Sequence, residues 1–284
     1  MSKLPLRDRL VVLTRPEGRG AEWRSTLADA GAAVIELPLL EISFEPDEDT
    51  LADVLDTIGE YDWIVFTSAN GVRGFFDRFF QRFYDIRSIG GVRFACVGPA
   101  TEKALRGYHL DADLVAAQPD AVALGRELMT KYNVENQKLV IATGNLAGNE
   151  LPRLLMEEGL AIVDILKVYS TDQKSVAEAP EAAEFRRRGA DVIVFASPSA
   201  VESFMHQAAS LRPDVGARQP KVVAVGPTTA DAVRRAGIPL AGFLDPPLIS
   251  RDSESRNDTN NNDHYDYFHQ GERFFIHCFP LFDS

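Results

Sequence analysis

Tyr61–Phe76 reads YDWIVFTSANGVRGFF: a run of apolar residues, Trp63–Phe66, then a small hydroxylated turn, then an amphipathic stretch. A short apolar run without alternation is what a parallel strand covered on both faces requires. Ser68 just after it is the chemistry of a helix start. The same order recurs at Ala190–Phe204 (ADVIVFASPSAVESF), which sets Ser197 opposite Ser68. Val92–Leu105 (VRFACVGPATEKAL) matches Lys221–Val233 (KVVAVGPTTADAV), which sets Thr229 opposite Thr101. Lys138–Gly159 (KLVIATGNLAGNELPRLLMEEG) matches Arg9–Gly31 (RLVVLTRPEGRGAEWRSTLADAG), joining the end of one copy to the start of the chain. One copy is therefore contiguous, over residues 41–170, and the other is split between residues 1–40 and 171–250. The strand-like segments Pro38–Phe44 (PLLEISF) and Ile165–Thr171 (ILKVYST) are the crossings, and two crossing strands make a hinge.

Further apolar runs at Leu10–Leu13, Val34–Leu37, Phe94–Val97, Leu139–Ala142, Val192–Phe195 and Val222–Val225 read as strands. Helical periodicity marks Ala21–Ala30, Gly71–Phe83, Ala100–Tyr108, Ala121–Tyr132, Glu150–Glu158, Ala200–Ala209 and Thr228–Ala236. This alternation predicts an α/β fold of two parallel-sheet domains built from right-handed crossovers.

A chain of 284 residues suits two such domains, and 45% hydrophobic with 25% charged residues is globular composition. Thirty Lys+Arg against 42 Asp+Glu leave a net charge of −12, the wrong sign for a general nucleic-acid binder. Cys96 and Cys278 cannot form a disulfide framework, and no C-x-x-C metal spacing occurs. Met1–Leu10 carries charges where a signal peptide needs an apolar stretch, and no run approaches the roughly 18 to 20 apolar residues of a membrane helix. The expectation is a cytoplasmic protein with no membrane partner.

In an open parallel sheet, ligands bind beyond the carboxyl ends of the strands. Six turns are expected there: Thr14-Arg15-Pro16, Thr67-Ser68-Ala69-Asn70, Gly98-Pro99-Ala100-Thr101, Thr143-Gly144-Asn145, Ser197-Pro198-Ser199 and Gly226-Pro227-Thr228-Thr229. Each is expected to open a helix, whose free N–H groups and partial positive charge suit carboxylate or phosphate. For any single turn the hydroxyl is more simply an N-cap; six in matched sets point to a multiply anionic ligand. No G-x-x-x-x-G-K-[ST], no complete dinucleotide fingerprint and no G-x-S-x-G elbow is present, so nucleotide and serine-hydrolase chemistry is not indicated.

These turns, in this order, resemble the uroporphyrinogen-III synthase family. The resemblance rests on TRPEG (Thr14–Gly18), VFTSANGV (Val65–Val72), VGPAT (Val97–Thr101), ATGNLAGNELPRLL (Ala142–Leu155), VYST (Val168–Thr171), FASPSAV (Phe195–Val201) and VGPTTADAV (Val225–Val233). It implies two flavodoxin-like domains on a two-stranded linker with the active site in the cleft. The implied substrate is a linear tetrapyrrole, hydroxymethylbilane, closed to uroporphyrinogen III with inversion of ring D and loss of water. No metal or organic cofactor is implied. The expected protein is a monomer, with the preceding pathway enzyme as a partner.

By the same resemblance, Tyr169 in VYST assists departure of the hydroxyl. Ser68, Asn70, Thr101, Ser197, Ser199, Thr228 and Thr229 are substrate contacts, with Arg15 the charged one. Two other readings stand beside it: a non-catalytic two-domain binding protein for a polycarboxylate, and an inactive member with an altered C-terminus.

The second reading of the repeat stops early. Gln118-Pro119-Asp120 leads into a helix in the contiguous copy, whereas Asp245-Pro246-Pro247 leads to RDSESRNDTNNND (residues 251–263), and the pattern ends. Residues 251–284 are therefore expected to form an atypical, partly disordered tail, because the polar stretch cannot bury enough apolar surface to offset its ordering entropy. Hydrogen exchange on the full chain is expected to show no protection over residues 251–263, and strong protection throughout that stretch would overturn the expectation.

Overall fold

A strand that is apolar on both faces has to be sandwiched between helices. In the computed structural model, which describes residues 4–18, 20–45 and 48–244, the apolar runs Leu10–Leu13, Trp63–Phe66, Leu139–Ala142 and Val192–Phe195 are buried at every residue. The chain divides into two compact units: the segment up to Glu41 together with that from Asp172 onward, and Ile42–Thr171.

The chain opens with β1 (Leu10–Leu13), α1 (Ala21–Asp29) and β2 (Ala33–Glu36), and β3 (Leu40–Ser43) carries it over the first boundary. There follow α2 (Glu48–Asp56), β4 (Trp63–Phe66), α3 (Ala69–Arg82), β5 (Arg93–Cys96), α4 (Pro99–Arg106) and β6 (Leu114–Val115). Next come α5 (Ala121–Tyr132), β7 (Lys138–Gly144), α6 (Glu150–Glu157) and the long β8 (Ile162–Gln173), which crosses back. The first unit continues with α7 (Pro180–Arg188), β9 (Val192–Phe195), α8 (Pro198–His206), β10 (Lys221–Val225), α9 (Pro227–Arg235) and β11 (Leu240–Leu244).

One sheet has the order β11-β10-β9-β1-β2 and the other β3-β8-β7-β4-β5-β6. Neighbours from β2 to β11 and from β8 to β6 are parallel. In the split unit this is the flavodoxin-like strand order, 2-1-3-4-5 along its own chain. In the contiguous unit, β8, β7, β4, β5 and β6 take the same places although the chain enters at β4. The spatial arrangement is thus shared while the chain order is permuted.

Alternation along each strand feeds two cores, one per sheet face. Leu10, Val12, Ile193 and Phe195 pack on one face of the split unit's sheet, and Val11, Leu13, Val192 and Val194 on the other. In the contiguous unit, Ile64 and Phe66 join a phenylalanine cluster with Phe75, Phe76 and Phe79, while Trp63 and Val65 face α5 and α6 through Leu124 and Leu155. An aspartate just before the central strand locks each sheet at its other end. Asp191 accepts from the Leu10 N–H at 2.8 Å, and Asp62 from the Lys138 N–H at 2.9 Å.

Two expectations need correction. Thr14-Arg15-Pro16 and Thr143-Gly144-Asn145 do not open helices; α1 and α6 begin only at Ala21 and Glu150. The reason is what their threonines do. Thr14 donates its hydroxyl to the Val194 carbonyl at 2.8 Å, and Thr143 shares a 3.1 Å bond with Thr67, so both prolong strand pairing instead of capping. The expectations for the tail, residues 251–284, and for the helix missing after Pro247 lie outside the described residues.

Helix α3 lies unusually close to β8. A Cβ built at Gly74 would stand 2.6 Å from the Val168 carbonyl oxygen and 3.1 Å from Phe44. Alanine there recovers about 1 kcal/mol of helix propensity but overpacks against backbone, at about 1–3 kcal/mol. Gly74→Ala is therefore expected to lower stability in urea titration; a variant as stable as the parent would show that α3 can retreat.

Candidate active site

Parallel pairing brings the carboxyl ends of β4, β7 and β8 to one edge of the contiguous unit, where they border a hollow of about 850 Å³. That is a volume suited to a sizeable small molecule. The turn after β4 supplies Thr67 and Ser68, the end of β7 supplies Thr143 and Gly144, and β8 supplies Ile165, Lys167 and Tyr169. Leu166 and Val168, on the opposite face of β8, are fully buried in the phenylalanine core. Tyr169, next along the strand, borders the hollow, while part of its ring also packs against that core.

Ser68 is the N-cap of α3. Its extended backbone (φ −160°, ψ 159°) lets Oγ accept the Gly71 N–H at 3.0 Å. The same oxygen donates its hydrogen to Tyr169 Oη at 3.1 Å. A helix N-terminus, a serine and a phenol thus form one chain of hydrogen bonds, and each link polarises the next. Because the phenol oxygen accepts from Ser68, its own hydrogen is left for a partner in the hollow. Asn145 holds the end of β8 in place. Its N–H donates to the Tyr169 carbonyl (3.3 Å), its Oδ1 accepts the Thr171 N–H (2.8 Å), and its Nδ2 donates to the Thr171 carbonyl (3.3 Å).

The remaining candidates separate. Asn70, in the first turn of α3, accepts from Arg73 at 3.4 Å. Thr101 and Thr229, equivalent in the repeat, are only 5% and 2% exposed, so their side chains pack inside their own units. In the split unit Ser197 repeats the Ser68 geometry (φ −155°, ψ 155°), capping the Ala200 N–H at 3.2 Å, and shares a 3.0 Å bond with Ser199. Thr228 is exposed at the second position of α9. The Arg15 guanidinium stacks over the Trp23 ring, 4.5 Å from its centre.

Two residues bordering the hollow were not singled out from sequence. Lys167 is its one cationic side chain among the described residues, exposed and without an ion-pair partner among them. It sits two residues before Tyr169, so strand periodicity alone put it on the same face. Gly144 had no sequence signal beyond its place in a turn. Cys96 is not a nucleophile at neutral pH, because burial pushes its thiol up to about 12. Among the described residues, no group of three or more His, Cys, Asp or Glu side chains is placed to hold a metal ion, and no helix is long and apolar enough to cross a membrane.

Fold and site together define an α/β protein of two doubly wound units with small-hydroxyl turns at the ligand edge of each sheet. The family model described as uroporphyrinogen-III synthase HemD matches residues 21–242, and the chain belongs to that family. It is 27% identical over 233 residues to the "Porphyrin biosynthesis protein HemD" of Ruminiclostridium josui, covering 82% of this chain but 45% of that protein, so it spans less than half of that relative's length. It is also 27% identical to the uroporphyrinogen-III synthase of Synechococcus elongatus, covering 81% of this chain and 87% of that one. Among solved structures, uroporphyrinogen III synthase from Thermus thermophilus, in a mutant form, superposes with a TM-score of 0.57 at 17% identity, over 83% of this chain and 92% of its own. The enzyme from Helicobacter pylori gives 0.55 at 15% identity, over 84% and 93%. At those identities the likeness is one of fold.

Proposed function

We propose that the chain is a uroporphyrinogen-III synthase, closing hydroxymethylbilane to uroporphyrinogen III with inversion of ring D and release of water. The observation that carries this reading is the Tyr169 phenol, set beside the hollow with its oxygen already accepting from Ser68. The substrate's hydroxymethyl oxygen must leave with a proton, and a pyrrole nitrogen pushes its electron pair in as the C–O bond breaks. Tyr169 supplies that proton, or the hydrogen bond that stands for it, to the departing oxygen. The electron-deficient methylene carbon then bonds to the substituted α-carbon of ring D to give a spiro intermediate; the bond from that carbon to its original methylene breaks and re-forms at the free α-carbon of ring D, and the proton lost there as the macrocycle closes restores the acid.

The linear tetrapyrrole carries eight carboxylates, and it closes without inversion when free in water. The enzyme's main task is therefore to hold geometry. We assign Lys167 and the N–H groups at the start of α3 to substrate carboxylates. Ser197, Ser199 and Thr228, at the edge of the split unit, are assigned to others, with Arg15. Thr101 and Thr229, whose side chains are buried, are assigned to packing in this reading. This reading extends to a cytoplasmic enzyme that works as a monomer and receives its substrate from the preceding enzyme of the pathway. A purely binding role is less well supported, because carboxylate recognition alone gives no reason for a phenol held by a helix-capping serine.

Two outcomes follow. Tyr169→Phe is expected to lower kcat for the type III product about a hundredfold, the lower end of what general acids contribute, with KM little changed. Unchanged turnover would remove Tyr169 from the chemistry. Lys167→Glu is expected to raise KM about tenfold or more, since a charge-assisted hydrogen bond is worth about 1.5–3 kcal/mol. The melting temperature should stay put because Lys167 is exposed and makes no ion pair among the described residues. An unchanged KM would show that the carboxylates lie elsewhere.

A further inference from the structure

We propose that Gly144 is a positioning residue for the Tyr169 phenol, its missing side chain being the space in which the tyrosine ring lies. The inference rests on the assignment of Tyr169 made above. A Cβ built at Gly144 would stand 2.4 Å from Cζ, 2.5 Å from Cε2 and 2.8 Å from Oη of Tyr169. No side chain tolerates those distances, so the ring lies directly against the end of β7 because residue 144 is glycine.

Register explains why the two residues meet. Along β7 and β8 the pairing steps regularly up to Thr143 opposite Lys167, then slips by one residue, so that Gly144 stands opposite Tyr169. A bulge of this kind re-aims the side chains that follow it. Gly144 does not occupy the left-handed region that favours glycine, so its backbone accepts alanine without strain. What it cannot accept is the ring's present position.

Something must give way when a Cβ is added, and the surroundings decide what. Thr143 is paired with Lys167 in the strand ladder and shares a side-chain bond with Thr67, and Asn145 is bonded to the backbone of both Tyr169 and Thr171. The main chain is therefore fixed on either side of Gly144. The ring is the far end of a half-buried side chain beside an open hollow, and it is the part free to swing. Swinging costs little stability but takes Oη away from Ser68 and from the oxygen it serves. A misplacement of about 1 Å at a reacting group is enough to cost about a hundredfold in rate.

The test compares Gly144→Ala, Tyr169→Phe, Ser68→Ala and the double variant of the first two in the full chain. The readouts are kcat, KM, melting temperature and the 13Cζ-tyrosine NMR signal of Tyr169, assigned by its loss in Tyr169→Phe. Gly144→Ala is expected to lose about tenfold to a hundredfold in kcat, with KM and melting temperature close to the parent. The Tyr169 signal is expected to shift as it does in Ser68→Ala, and the double variant to be no slower than Tyr169→Phe. An unmoved signal, a double variant slower than Tyr169→Phe, or a Gly144→Ala protein that fails to fold would each overturn the proposal. A shifted signal with full turnover in both Gly144→Ala and Tyr169→Phe would support the positioning and refute the catalytic assignment of Tyr169.

Discussion

Parallel pairing is the constraint on which the rest of this molecule depends. Parallel strands cannot be joined by tight turns, so each pair needs a crossover helix, and right-handed crossovers cover both faces. The strands must then be apolar on both faces, which Trp63–Phe66 and Val192–Phe195 are. All strands of such a pairing point the same way, so polar groups have one edge at which to gather. The buried fraction of each strand thus follows from the same rule as the position of the polar turns.

The repeat shows how firmly this rule holds. The chain enters the contiguous unit at β4 and the split unit at β1, yet equivalent strands take equivalent places in the two sheets. Equivalent turns also keep equivalent jobs. Ser68 and Ser197 cap helices with nearly the same backbone angles, and Thr14 and Thr143 both extend strand pairing. Only in the contiguous unit has a capping serine acquired a tyrosine partner among the described residues, and there the helix cap and the phenol beside the hollow share one oxygen atom. A cap that would otherwise be structural thereby becomes an arm of the site.

Close approach does the remaining work. Gly74 lets α3 lie against the buried face of β8, and Gly144 lets the Tyr169 ring lie against β7. Both contacts lie along β8, beside the bond that joins the cap to the phenol. Neither adds a bond of its own; each removes a volume that would keep bonding partners apart.

The strands and the capping serines were legible in the sequence because they depend on neighbours: apolar runs, turn residues and a helix start a few positions on. Tyr169 was legible only through its setting in VYST, which carries a resemblance and no geometry. The burial of Thr101 and Thr229, the stitching by Thr14 and Thr143, and the role of Gly144 were not legible. Each depends on a residue distant along the chain: Thr14 meets Val194, Ser68 meets Tyr169, and Gly144 meets a ring brought opposite by a register slip. The sequence by itself determined which segments become strands and helices, since periodicity and capping are local. Tertiary structure alone decided which hydroxyl borders the hollow and which is walled in, because that depends on the packing of strands that the chain order does not place side by side.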